Sequence, residues 1–478
     1  MSFNSFEFLL FFIAVLFVFF ATPHRFRGLV LLASSYMFYG AWRPAYCLLL
    51  LFTTLVDYLS GLVIGGSERV LVRRIALIVS LSINVGILAT LKYLDFALTS
   101  FSGLAGLLGA TMHPTLLGLV LPVGISFYTF QSIAYTIDVY RRQLAVERSF
   151  LVYAQYVSFF PQLVAGPIER GGHMLPQFKR EHALRAENFA VGLWLIGWGL
   201  FQKMCIADLV SSFVTAVYAA PARFGGAYNL IATLFFAIQI YADFCGYSTI
   251  ARGVARMFDY ELMVNFRQPY FSGSITDFWR RWNISLSSWF RDYVYFPLGG
   301  NRVGDIGQLR NIFVVFVLSG LWHGAAWTFV FWGALHGAAL VVERLARRTI
   351  SLSPAVLNGR MVFAAGWLWT AAVVLCGWVF FRARTFDNAM AVFGSLRHLG
   401  GLSYDVFKTA GFPAYSIVSA VLLMPILFLV DYLTFHHQPV LLALRRRPLL
   451  GACAGVLLLY AIIFFGIFGH ADFIYFQF

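Results

Sequence analysis

Apolar runs of about 20 residues, each long enough to cross a bilayer as a helix, recur along this chain and constrain it more than any other feature. They lie at about 6 to 22, 27 to 42, 45 to 65, 75 to 92, 115 to 138, 187 to 207 and 227 to 250, then at about 311 to 342, 361 to 381, 414 to 434 and 449 to 469. In lipid every backbone N–H and C=O must find a partner within the protein, and a helix achieves this segment by segment. The pattern predicts an all-α polytopic membrane protein of about ten to thirteen helices. Only 12% of the 478 residues are charged, about half the usual share of a soluble domain, so a water-soluble fold is excluded.

The net charge of +14 comes from arginine clusters between the runs, at Arg69, Arg73 and Arg74, at Arg141, Arg142 and Arg148, at Arg344, Arg347 and Arg348, and at Arg445 to Arg447. Such spacing follows the positive-inside rule rather than a nucleic-acid footprint. A basic inner face can also receive an anionic substrate, although topology alone accounts for most of these charges. The five cysteines show no C-x-x-C pairing, which gives no sign of a disulfide framework or thiolate metal site. Residues 1 to 22 carry Glu7 but no basic n-region or small-residue cleavage site, and read as a retained first span. Segments 94 to 110 and 150 to 168 are short and broken by Gly or Pro, as half-helices or interfacial loops are. With no soluble linker visible, residues 1 to 478 read as a single membrane domain.

The stretch from 265 to 302 is too polar for an ordinary span and too aromatic for a simple loop. Ser274, three residues before Asp277, can cap a helix start, and Pro297 with Gly299 and Gly300 supplies a stop. Continued as one helix, it would gather Phe278, Trp282, Leu286, Trp289 and Tyr293 on one face and Arg280, Asn283, Ser287 and Arg291 opposite. Such an amphipathic or re-entrant element lies at a membrane interface, or turns its polar face to a reaction cavity. In the second case Arg280, Arg281 and Arg291 can meet phosphates, and Asn283 can hydrogen-bond a reacting carbonyl.

From 311 to 342 the chain is almost uncharged for about 48 Å of helical rise, longer than the ~30 Å hydrocarbon layer, so it must tilt or break. Ser319, Gly320 and Gly324 flank His323, and a break there would present the imidazole on irregular backbone. A histidine at that depth marks function when it faces a polar cavity. Its alternative is a neutral ring bonded to a backbone carbonyl, with Gly320 and Gly324 as a packing face. On an unbroken helix His336 would stand ~20 Å further along and be rotated by ~220°, too far to pair with His323. No H-E-x-x-H, P-loop or G-x-S-x-G motif is present, which leaves acyl transfer by a buried histidine.

The 277 to 302 stretch and LSGLWHGAAW resemble the membrane-bound O-acyltransferase family, in particular its bacterial alginate O-acetylation branch. SFEFLLFF, LLASSYMFYGAW, LPVGISFYTFQSIAYTIDVYR, FFPQLVAGPIER and YADFCGYSTIARG extend the similarity nearly end to end. The resemblance implies a ring of helices around a tunnel with a cytoplasmic funnel for an acyl thioester, acetyl-CoA in this branch, and no metal. It implies His323 as the catalytic histidine and Asn283 at the second polar position, where bacterial members commonly carry His. Around them, Trp279, Arg280, Arg281, Arg291, Asp292, Ser319 and Trp322 are the expected substrate-binding set. The implied partners are a periplasmic SGNH-type acetyltransferase, an exopolysaccharide as final acceptor and membrane lipid, with no nucleic acid. The implied location is the bacterial inner membrane.

The terminal FIYFQF resembles the F-x-Y-x-x-F ending of the accessory peptide in teichoic-acid D-alanylation, which implies Tyr475 as a transient acyl carrier at an extracytoplasmic C-terminal motif, residues 470 to 478. An aromatic interface anchor is the equal alternative. Two rival functions stay open on the residues alone: a transporter or exporter using His323 for proton coupling, and a nonenzymatic scaffold. Among polymers, alginate is favoured over cellulose, peptidoglycan or another glycan by the resemblance.

Overall fold

The computed structural model describes residues 1–164, 166–349, 359–436, 447–469 and 473–474, and among these every regular element is helical. Among the described residues seven helices are long and apolar enough to cross a membrane: Pro44–Gly66, Val70–Leu107, Ala186–Ala219, Gly226–Met257, Trp327–Thr349, Arg360–Arg382 and Ala414–His436. Phe6–Ala21 and Leu449–Phe465 are shorter apolar helices. Their outward side chains are large and oily, with Phe17 75%, Leu48 70% and Met361 86% exposed, a surface that lipid satisfies and water does not.

One run behaves differently from its hydropathy. The stretch read as a span at 115 to 138 is helical only from Ile125 to Tyr140. Before it lie Pro114 and Pro122, together with Gly118 at φ +55° and Gly124 at φ +77°, which remove backbone donors and turn the chain out of helical geometry.

The chain divides into two compact units, Met1–Leu193 with Ala251–Met263, and Trp194–Ile250 with Val264–Phe478. The first has an aromatic and aliphatic core in which Phe19, Phe38, Tyr39 and Leu50 are fully buried. Phe19 meets Phe258 edge to face at 5.2 Å.

In the second unit, helix Asp305–His323 ends at a three-residue break and helix Trp327–Thr349 returns as its partner. The hairpin closes on glycines: a Cβ on Gly320 would stand 2.2 Å from the Phe329 carbonyl oxygen, and one on Gly333 would stand 2.2 Å from that of Phe316. Only residues without side chains allow backbones so near. The same unit buries Lys203 between Asp208 and Asp243, at 2.9 and 2.8 Å. Paired on both sides, that ammonium is kept from standing alone in an apolar interior.

Candidate functional site

The 265 to 302 segment is not one helix. Ser274 does cap the first piece, Ile275–Arg281, accepting from the Asp277 N–H at 3.1 Å, and Glu343 reinforces this by accepting from the Ile275 N–H at 2.8 Å. The chain then breaks at Asn283, whose φ of +41° is left-handed, and resumes as Ile284–Phe290. Asn265 stabilises the break: its backbone carbonyl accepts from the Ile284 N–H at 2.9 Å and its side-chain oxygen from the Ser285 N–H at 3.2 Å. Asn265 thus takes over part of the usual capping work, and the Asn283 side chain makes no capping bond. Asn283 is 1% exposed, and neither its Oδ1 nor its Nδ2 finds a partner among the described residues. A buried primary amide with both ends free costs a few kcal/mol unless a ligand or water engages it.

His323 is the last residue of its helix, 4% exposed, in a box of aromatic rings. Its imidazole meets Trp332 at 5.0 Å and Phe381 at 5.3 Å, both edge to face. The hairpin also changes the expectation for His336. Because the chain reverses after His323, Trp332 lies between the two histidines, 5.0 Å from each. They share a ring rather than a hydrogen bond.

A cavity of about 610 Å³ opens beside this box, entirely within the second unit. Its deeper wall includes the buried Trp279, Val315 and Ser319, and Ser319 stands one helical turn before His323 on the same face. Trp279 also reaches the box, 5.6 Å from Trp332 and 5.0 Å from His336. The mouth carries Arg280, Arg291, Arg344 and Arg347; Glu343 is the one acid among its described lining residues, 2.8 Å from Arg347.

Of the expected binding set, Trp279, Arg280, Arg291 and Ser319 line this cavity. Arg281 is held elsewhere, paired with Asp277 at 2.9 Å and stacked over Phe435 at 4.6 Å. Asp292 pairs with Arg291 at 2.8 Å, and Trp322 packs beside His323 at 4.9 Å. Arg344 and Arg347 belong to a cluster for which the sequence offers topology as the main account and reception of an anionic substrate as the second. Their i, i+3 spacing, which puts them on one helix face, was the available hint.

Tyr475 lies outside the described residues, as do Arg445 and Arg446. Its described neighbours are anchored: the Ile474 N–H donates to Asp243 at 2.7 Å, and the Phe473 ring packs against Tyr247 at 4.7 Å. Sequence reasoning missed the Lys203, Asp208 and Asp243 cluster because its members are separated along the chain.

A family model described as the membrane-bound O-acyltransferase family matches residues 141–386. A probable alginate O-acetylase of Pseudomonas aeruginosa is 36% identical over 444 residues, 92% of this chain and 83% of that one. The chain belongs to the membrane-bound O-acyltransferase family. It is therefore a multi-pass membrane enzyme, and the transporter and scaffold readings give way to acyl transfer. This acyltransferase is also similar to a peptidoglycan O-acetyltransferase of Helicobacter pylori, 36% identical over 79% of this chain and 75% of that one. A teichoic acid D-alanyltransferase of Streptococcus thermophilus is 28% identical over 52% of this chain and 63% of its own length.

Proposed function

We propose that this acyltransferase takes an acetyl group from cytoplasmic acetyl-CoA and passes it to an extracytoplasmic acceptor for O-acetylation of an exopolysaccharide, alginate first. The observation that carries the reading is the cavity, which joins four arginines at its mouth to Ser319, one turn from His323. Arg302, Arg310, Arg344, Arg347 and Arg348 crowd the open end of the hairpin, so the positive-inside rule assigns that end, and the mouth, to the cytoplasm. Guanidinium groups there suit the phosphates of a CoA-type donor.

The thioester then extends toward His323. As an acceptor oxygen attacks the thioester carbon, neutral imidazole takes the hydroxyl proton. The C–S bond breaks, and the departing sulfur recovers that proton to leave as CoA thiol. Asn283, with its amide uncommitted, donates to the developing oxyanion. Tyr475 is the first acceptor in this reading, and the seating of Phe473 and Ile474 supports it. A periplasmic SGNH-type enzyme then carries the acetyl to the polymer, and the bacterial inner membrane is the setting. Alginate and acetyl come from the Pseudomonas relative, since the other two relatives name a different polymer or a different acyl group.

The test is release of CoA from acetyl-CoA by the purified protein, with labelled acetyl followed to protein and glycan. Release by wild type, and release slower by about a hundredfold or more in His323→Ala, is expected. Full release by His323→Ala would remove the assignment.

A further inference from the structure

The first unit contains a second polar centre that acyl transfer does not use. Asp57 stands near the middle of helix Pro44–Gly66 and is fully buried. Its Oδ1 accepts from the Ser80 hydroxyl at 2.6 Å and from the Asn84 amide at 2.8 Å, both on helix Val70–Leu88. Ser80 lies 3.3 Å from the Thr136 hydroxyl on helix Ile125–Tyr140. One turn from Thr136, Ser132 faces Asp57, and the Tyr153 hydroxyl faces both.

By strict hydrogen-bond geometry four oxygens in this cluster have no partner among the described residues, Asp57 Oδ2, Asn84 Oδ1, Ser132 Oγ and Tyr153 Oη, and Ser132 is within looser reach of both Asp57 and Tyr153. All four residues are at most 1% exposed. Asp57 pairs with no lysine or arginine among the described residues. An unpaired carboxylate among orphaned oxygens at membrane depth is among the costliest arrangements a protein can keep.

We propose that these residues form a binding site for a single desolvated Na⁺. Oxygen-only ligands are what a hard cation takes. One carboxylate neutralises one monovalent charge, whereas a divalent ion would leave a net positive charge in an apolar interior. Asn84 Oδ1, Ser132 Oγ and Tyr153 Oη supply the neutral ligands beside Asp57 Oδ2, joining helices Pro44–Gly66, Val70–Leu88 and Ile125–Tyr140 and the short helix Phe150–Ser158.

The test is thermal unfolding of the full-length protein in detergent, in NaCl against N-methyl-D-glucamine chloride at equal ionic strength. Wild type unfolds at higher temperature in NaCl, with a saturable Na⁺ dependence that Asp57→Asn abolishes and Ser132→Ala weakens at least tenfold in apparent affinity. Identical wild-type curves in the two salts overturn the site and leave a cluster filled by water or a proton. An undiminished Na⁺ response in Asp57→Asn overturns it as well. Should Asp57→Asn not fold, Ser132→Ala decides: unchanged Na⁺ affinity in that variant counts against the proposal.

Discussion

The imidazole of His323 meets the indole of Trp332 edge to face at 5.0 Å, across a hairpin whose turn is only Gly324 to Ala326. Nine residues apart in sequence, the two rings touch because the chain reverses immediately after the histidine. This contact fixes the imidazole beside the cavity, and the predictions about chemistry begin from it.

Replacing His323 with Ala removes the proposed base while leaving most of the aromatic box. CoA release should fall by about 10²–10⁴-fold, the usual contribution of a general base, with membrane abundance unchanged. Single-turnover measurement with labelled acetyl-CoA checks this, and a fall of less than tenfold counts against a chemical role.

Asn283 requires two variants because its backbone is left-handed. Asn283→Gly accepts that φ and deletes only the amide, so the protein should fold normally while kcat falls by about 10²–10³-fold, as for loss of an oxyanion donor. Asn283→Ala should add backbone strain and lower the Tm as well. Equal kcat in wild type and Asn283→Gly would assign the residue to the turn alone.

Arg280 is exposed at the cavity mouth. Arg280→Gln should raise KM for acetyl-CoA several-fold with little change in kcat, and the difference should shrink as salt rises because exposed charge pairs are screened. A kcat defect with unchanged KM would move this residue from donor binding to chemistry.

Gly320→Ala tests the hairpin. The new methyl would lie 2.2 Å from the Phe329 carbonyl oxygen, and backbone cannot yield as a flexible side chain does. The two helices should separate, lowering the Tm and reducing activity at least tenfold without touching a substrate-binding group. Wild-type Tm and activity in this variant would show that the packing has slack.

The tail anchor is tested by Phe473→Ala, which removes the ring seated against Tyr247. Carboxypeptidase should trim this variant faster than wild type, and acetyl label on the protein should fall at least tenfold. Equal trimming rates would mean that Phe473 does not hold the terminus.

Much was legible in the sequence because it depends on local chemistry. Charge scarcity and repeated apolar runs determined the membrane-spanning, all-helical class, since lipid admits no unsatisfied backbone. The cap at Ser274 and the need for a break between 311 and 342 were also legible, one from side-chain reach and the other from bilayer thickness.

Only the tertiary structure decided what depends on residues far apart in sequence. A single-helix reading of 275 to 297 failed at Asn283 because Asn265, eighteen residues earlier, supplies bonds that make the break possible. His336 looked remote until the chain reversal brought Trp332 between it and His323. Arg344 and Arg347 joined Arg280 and Arg291 at one mouth, while Arg281 was drawn away by Asp277 and Phe435. Hydropathy and helical period report the surroundings each segment needs. Which side chains from different segments meet depends on backbone approach at glycines and on long-range hydrogen bonds, and neither leaves a periodic trace in the sequence.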